Sequence, residues 1–361
     1  MYNNNAVIGL YFKNLEEEDD AEGYLFGGEG NVASANSNYD INVQAIYAQL
    51  NSKLNNNISL SNSFRYEVND ISYLGESYGY GNDSIPLVTA NKSFNLNGFK
   101  SSFVYNFSND TKLFAHISYG YKTGGVNQQP YVSNENKIYK PEYLASYEIS
   151  FKNKTKNHFT SLSYFYNDRI DQQVSISAQQ NESDPNSFYY FTTNNEGGGF
   201  SRGIEFDLKV KIFNNTSLKT SLAYLDTWTS RFSYNISENE IQFGGGRDAA
   251  MAPKLSSSIS LVYDHNLLSI ALSQNYKDKY YFSDSHDFLC DSYSIINFSV
   301  SKIIENFKIS VWAKNIFDER YALRGFYFGL IPPNYEDKLW VSYGDPTQFG
   351  ISIGYNFNDS F

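Results

Sequence analysis

The side chains in this sequence that could carry chemistry are few and scattered. Four histidines, His116, His158, His265 and His286, lack the HExxH spacing of a zinc hydrolase, and no GxSxG turn offers a serine nucleophile. His116 falls on the polar side of an alternating stretch, where a histidine without partners is wall rather than catalyst. The run "EEEDD" (Glu16–Asp20) could attract a divalent cation. It lacks the spaced ligands and central glycine of a calcium loop, so it reads as a solvated acidic tip. "GGEG", "GGG" (Gly197–Gly199) and "GGGRD" (Gly244–Asp248) precede no helix and do not cradle phosphate; they read as flexible connections and strand entries. The single cysteine, Cys290, can form neither an intrachain disulfide nor a thiolate metal cluster and reads as a small buried side chain. No catalytic, metal or cofactor site follows from these residues.

Binding surfaces are better candidates. Tyr78, Tyr80, Tyr189, Tyr190, Phe326, Tyr327, Tyr335, Trp340 and Tyr343 lie in connecting segments beside Asn, Asp and Gly. An apolar face with a few hydrogen-bonding groups suits a planar chelate or a stacked sugar. Packing of the connections against one another explains the same residues equally well. These segments are poor in Arg and Lys, which favours a neutral chelate or an oligosaccharide over a strongly anionic catecholate.

Composition narrows the class. Tyr (32) and Phe (28) are abundant, aromatic residues make up 17%, and the formal charge is −11. A nucleic-acid binder normally carries a basic face, so nucleic acid is not expected as a partner. No stretch approaches the roughly 18 consecutive apolar residues of a membrane helix, but barrel strands need only about 9–11 residues with every second one apolar.

That period-2 pattern recurs along the chain. Large apolar residues alternate with polar ones at Ile58, Leu60, Phe64 and Tyr66, at Phe99, Phe103, Tyr105 and Phe107, and at Leu113, Ala115, Ile117, Tyr119 and Tyr121. The same holds at Tyr147, Ile149 and Phe151, at Ile204, Phe206, Leu208 and Val210, and through Ile259–Tyr263 and Leu268–Leu272. About 14 strands are predicted and no amphipathic helix. Tyr39–Leu54 alternates poorly. Arg65, Glu67, Lys100, Glu148, Lys152, Glu205, Asp207 and Lys209 occupy the polar face. This pattern alone is compatible with a soluble β-sandwich.

The connections separate the two. Short Asn-, Asp-, Lys- and Ser-rich turns fall around Asn55–Asn57, Ser108–Thr111, Asn153–Asn157, Asn214–Ser217, Asp264–Asn266 and Glu305–Asn306. Long ones fall at Asp19–Asn38, Ile71–Lys92, Thr123–Glu142, Ala178–Phe188, Ser233–Pro253, Ser283–Ser292 and Leu323–Pro346, in strict alternation with the short. Long structureless loops are uncommon in compact domains, whereas an outer-membrane barrel has short periplasmic turns and long outer loops. "YKDKYYF" (Tyr276–Phe282) and "FSYN" (Phe232–Asn235) place aromatics where interfacial girdles sit. The expected fold is all-β, an antiparallel transmembrane β-barrel of the bacterial outer membrane.

Specific motifs point the same way. "VWAKNIFDERY" (Val311–Tyr321), with Asn315, Phe317, Asp318 and Tyr321, resembles the penultimate-strand signature of TonB-dependent outer-membrane receptors. "LFAHISYGYKTGGVN" (Leu113–Asn127), "YKPEYLASYEISFK" with Pro141, Glu142, Tyr147 and Glu148, and "GFSRGIEFDL" with Ser201, Gly203 and Glu205 are similar to further landmarks of that family, in order. "QFGISIGYNF" looks like its closing strand, so Phe349, Ile351, Ile353, Tyr355 and Phe357 are expected to face lipid and to form the signal read by the barrel-assembly machinery.

The resemblance implies a barrel of about 22 strands, filled by a plug that contacts TonB and energised from the inner membrane. Residues 1–361 are expected to be the C-terminal portion of such a barrel, without plug, TonB box or signal peptide. A smaller barrel could close geometrically, but an open edge in lipid leaves backbone groups unpaired. The implied function is uptake of a scarce solute, siderophore-bound iron or similar, with contact to TonB only through the plug. The alternatives are a passive porin-like channel, uptake of oligosaccharide, and a secreted β-rich adhesin or lectin.

Overall fold

Alternating residues become strand here, and Asn-rich pairs turn the chain back. The computed structural model describes residues 4–24, 31–78, 84–128, 136–179, 188–237, 240–284, 286–329, 331–334, 336 and 338–357. They form one 14-stranded antiparallel sheet in sequence order. Its first strands are β1 (Asn4–Tyr24), β2 (Asn31–Lys53), β3 (Ile58–Tyr78), β4 (Ser84–Asn106) and β5 (Thr111–Lys122). Next come β6 (Glu142–Lys154), β7 (His158–Ile170), β8 (Gly199–Phe213), β9 (Thr216–Thr229) and β10 (Leu255–His265). The last four are β11 (Leu268–Lys277), β12 (Tyr293–Ile304), β13 (Phe307–Lys314) and β14 (Gln348–Tyr355). The strand number agrees with the sequence reading, and so does the short–long alternation from β5 onward. Asn266 (φ 49°) and Glu305 (φ 54°) hold the left-handed backbone that tight hairpin turns need.

The register sorts the two faces. Leu60, Phe103, Ala115, Ile149, Tyr164, Ile204, Tyr224 and Leu255 lie opposite one another in turn across eight strands. A second row runs Leu218, Leu261, Leu272, Phe298, Ala313, Phe349. Most of the large side chains in these rows stand exposed, Ile204 at 48% and Phe349 at 83%. The opposite face at one level reads Asn106, Lys112, Lys152, Ser161, Asp207, Ser221, Ser258, Asn275. An apolar exterior with a polar interior is the reverse of a soluble fold and is what a lipid-embedded wall requires.

Two sequence expectations need correction. Asp19–Asn38 and Ile71–Lys92 are mostly strand, because β1 to β4 run 21–23 residues. Lipid accounts for only about 9–11 of these. The apolar phase reverses along each of β2, β3 and β4. Phe64 and Tyr66 point outward, whereas Ile71 and Tyr73 point inward and are 4% exposed. In β4 the inward Val88, Ala90, Phe94 and Leu96 give way to the outward Phe99. Above the lipid the outer face meets water and the inner face packs against Val126 of the connection that follows β5, with Tyr39, Tyr121 and Tyr143 of neighbouring strands at its margin. The poor alternation of Tyr39–Leu54 has this cause: Val43 and Ala45 face in, Ile46 and Leu50 face out.

The girdle assignment is corrected too. Phe232 and Tyr234 are buried in a cluster with Val174, Ile176 and Phe191, and Tyr280 and Phe282 pack with Cys290 and Tyr293. Tyr276 pairs in the outward register of β11. Other rings on the outward face stack along the rim, Tyr166 on Phe200 at 6.2 Å and Phe99 on Tyr119 at 6.3 Å. Among the described residues the outer edges of β1 and β14 have no strand partner, and they differ in length, 21 against 8 residues.

Candidate functional site

The long connections carry short ladders of their own: Gly125–Val126 with Ile138–Tyr139, Gln172–Gln179 with Phe188–Asn195, and Phe232–Ser237 with Glu240–Gly244. Tyr280–Tyr281 pairs with Leu289–Cys290, and Ala322–Phe328 with Lys338–Tyr343. Side-chain amides knit neighbouring connections into a collar. Asn127 accepts from Thr192 N at 2.7 Å and donates to Thr192 O at 2.7 Å, imitating a strand partner across 65 residues of sequence. Gln173 donates to Thr123 O and Lys140 O, and Asn194 donates to Lys140 O and Asp171 O. Asn195, fully buried, donates to Gly198 O and to Ser230 O at 2.8 Å.

The next junction depends on Arg247. Its Nε donates to Asp287 at 2.7 Å, and Nη2 donates to Ser283 O and His286 O at 2.7 and 2.8 Å. Its guanidinium lies 4.0 Å from the Tyr281 ring centroid. One cation therefore ties the connection after β9 to that after β11, with charge-assisted bonds throughout. Beyond it His286 stacks edge-on against Tyr327 at 5.1 Å, joining the connection after β11 to the last hairpin. Cys290 Sγ donates to Ala322 O at 3.4 Å at the same junction. Burial pushes this thiol up, in keeping with an inert packing cysteine.

The family motif forms the base of the last connection. Asn315, 3% exposed, has a left-handed backbone (φ 48°). Its side chain donates to Glu319 O and Asp345 O and accepts from Glu319 N at 2.9 Å. Asp318 accepts from Thr347 N at 2.8 Å, so the motif ties the exit of β13 to the entry of β14. Tyr321 stacks on Tyr293 at 4.7 Å, and Phe317 stands exposed. Gly203 of the β8 motif lies against the Tyr224 carbonyl oxygen and the Phe165 ring, which leave no room for a side chain there.

The candidate ligand-contacting residues divide. Phe326, Tyr327, Trp340 and Tyr343 come together on one hairpin, with Phe326 opposite Trp340. Phe326 and Tyr343 are half exposed, whereas Tyr327 packs on His286 and Phe288. Tyr189 and Tyr190 lie on a different hairpin and Tyr78 at the far end of β3. Tyr80 and Tyr335 lie outside the described residues. Glu16–Asp20 are in strand β1 and not at a loop tip, so they alternate between faces. Among the described residues no group of three or more His, Cys, Asp or Glu could hold a metal. His116 is not without a partner: Glu148 stands 3.8 Å away on the neighbouring strand. Glu205, Asp207, Asn275, Lys277, Tyr293 and Tyr321 line an inward cavity of about 640 Å³.

Sequence reasoning missed Asn127, Asn195 and Arg247. Asparagines are common in this chain, and the partners of these residues are remote; the one local signal is the glycine run on either side. Gly198 (φ 61°) is required there, because a Cβ would meet the Arg169 carbonyl oxygen. Gly198→Ala should therefore shift the hairpin base. The Ser230 amide, which bonds Gly198 O at 3.0 Å, should then exchange hydrogen at least about tenfold faster. An unchanged Ser230 rate would show that the base tolerates the displacement.

Comparisons with known proteins agree with this architecture. A family profile described as TonB-dependent receptor-like β-barrel matches residues 2–316. The pesticin receptor of Yersinia pestis is 21% identical over 234 residues, covering 62% of this chain and 32% of the relative. The crystal structure of the ferric yersiniabactin uptake receptor FyuA from Yersinia pestis superposes with a TM-score of 0.77 at 18% identity, over 97% of this chain and 51% of that one. The siderophore receptor PiuA from Acinetobacter baumannii gives 0.67 at 13% identity, over 90% of this chain and 43% of its own. The chain thus spans about a third of that curated relative's length and about half of the first of these structures.

Proposed function

The chain belongs to the TonB-dependent receptor family of the Gram-negative outer membrane, and on that premise we propose that it forms most of the barrel wall and collar of a receptor importing an iron–siderophore complex. The observation that carries this reading is the wall itself. Its apolar outer face gives way above the lipid to long strands and a knitted collar, which a simple pore does not need. The proposed sequence is capture by the collar, sensing by a plug contributed by the rest of the protein, and TonB-driven release inward. No residue here performs covalent chemistry in that scheme.

Within the collar, the half-exposed Phe326 and Tyr343, with Trp340 on the same hairpin, are assigned to ligand contact. Phe349, Ile351, Ile353, Tyr355 and Phe357 are assigned to recognition by the barrel-assembly machinery, supported by the outward row in which Phe349 ends. Lipid is then the partner of that face.

The test is uptake of radiolabelled ferric yersiniabactin and ferric citrate by cells carrying the gene, with and without TonB. Loss of uptake without TonB supports the reading, and Phe326→Ala with Tyr343→Ala should weaken binding by roughly tenfold. Uptake that persists without TonB would indicate a passive pore. A TonB-dependent flux of oligosaccharide with none of iron chelate would move the ligand assignment to sugars.

A further inference from the structure

His286 is a half-buried histidine at a junction between connections, and its surroundings are unsuited to a second proton. The ring sits among Phe288, at 6.4 Å, and Tyr327, at 5.1 Å, and these two pack on each other at 5.4 Å. Nδ1 accepts from Phe288 N at 3.4 Å, which places the neutral ring's proton on Nε2. Nε2 is buried and makes no well-formed hydrogen bond, with the Gly325 main chain as the acceptor near the ring. The Arg247 guanidinium bonds the His286 carbonyl oxygen at 2.8 Å, so a fixed positive charge stands beside the ring.

We propose that His286 is a proton-sensitive latch between the last two outer connections, closed when neutral and released in acid. A second proton goes to Nδ1, where it replaces an acceptor by a donor facing the Phe288 N–H. It also sets a cation beside Arg247 inside an aromatic pocket. Charged and polar groups face the ring from three segments. Arg247, from the connection after β9, opposes the proton. Asp287, on the same segment as His286, favours it, but its carboxylate is engaged by Arg247 Nε. From the last hairpin come the uncharged Tyr327 and the Gly325 main chain, and the latter also favours the charged ring.

Burial is the largest influence and holds the pKa below its ordinary value of 6.5. The closed latch thus binds fewer protons than the open one. Closure is fully favoured above about pH 6.5 and is lost as the pH falls below it, by up to about tenfold in the closed-to-open ratio per pH unit until the depressed pKa is reached. Opening frees Tyr327 and swings the hairpin that bears Phe326 and Trp340.

The latch is tested without any ligand, so its failure and the failure of the transport reading are separable. A nitroxide is attached at Ser342→Cys, opposite Arg324 on the hairpin, at neutral pH, with the buried Cys290 left in place and the unsubstituted protein as control. Spectra are recorded on the receptor in outer-membrane vesicles between pH 7.5 and 5. The mobile fraction should rise several-fold in acid. His286→Phe, which keeps a ring in the pocket, should abolish the rise, and His286→Lys should be mobile throughout. A parent spectrum independent of pH overturns the latch. So does an equal acid response in His286→Phe.

Discussion

Replacing Asn315 by leucine is expected to cost about 3–5 kcal/mol and to leave little folded barrel in the membrane. The magnitude is built from separate terms. Three side-chain hydrogen bonds are lost, to Glu319 O, Asp345 O and Glu319 N. Each contributes about 1 kcal/mol, and the buried main-chain groups left behind carry a further desolvation cost. Leucine must also hold a backbone at φ 48°, which asparagine tolerates and leucine does not, at about 1–2 kcal/mol. Asn315→Gly separates the terms, since it keeps the backbone and loses only the bonds, so its cost should be smaller. Urea unfolding in detergent, followed by heat-dependent gel mobility, reads the difference. A leucine variant with the parent's midpoint would mean that the Asp318–Thr347 contact alone holds the corner.

How much of this was legible beforehand differs between wall and collar. In the wall each strand reports its own burial, because residues two apart share a face and the lipid rewards one face only. Leu60, Phe103 and Ile149 could therefore be placed from sequence before any register was known. The same rule failed for Ile71–Lys92, where the pattern persists but its phase changes. Ile71 and Tyr73 alternate as regularly as Phe64 and Tyr66, but toward the other side. A phase change breaks a fixed-face template in the same way that a loop does, so sequence alone does not tell the two apart. The reversal marks the level where the wall leaves lipid.

The collar was legible only as composition. Its aromatics were found, but exposure could not be assigned to them individually. Tyr327 is engaged by His286, and Phe232 and Tyr234 are core. The residues that organise it act across large separations, Asn127 with Thr192 and Arg247 with Asp287. A single amide or guanidinium with remote partners leaves no local periodicity to read. Asn315 is the exception, since its bonds to Glu319 close within four residues and the motif is correspondingly local.

The second large effect separates a lipid-facing wall from every soluble alternative. Leu261→Arg and Ser258→Arg introduce the same side chain on one strand, three residues apart and therefore on opposite faces. Leu261 lies between Leu218 and Leu272 in the outward row, five residues before the turn at Asn266. That depth is near the middle of a span of about 9–11 residues, where arginine costs about 2–4 kcal/mol. Ser258 faces the interior between Ser221 and Asn275, beside Asp207, where water and a carboxylate accept the new cation. Its cost should be near zero. Folded protein in outer-membrane fractions should accordingly fall sharply for Leu261→Arg and stay at the parental level for Ser258→Arg. In a soluble sandwich whose polar face is the outer one, Leu261→Arg would bury a charge in the core and unfold the protein, whereas the parent and Ser258→Arg would be found in the soluble fraction. The two readings therefore part on where the parent and Ser258→Arg are found, with Leu261→Arg fixing which face carries the penalty. Equal loss for both variants would mean that the strand is enclosed on both sides, and the assignment of faces would fail.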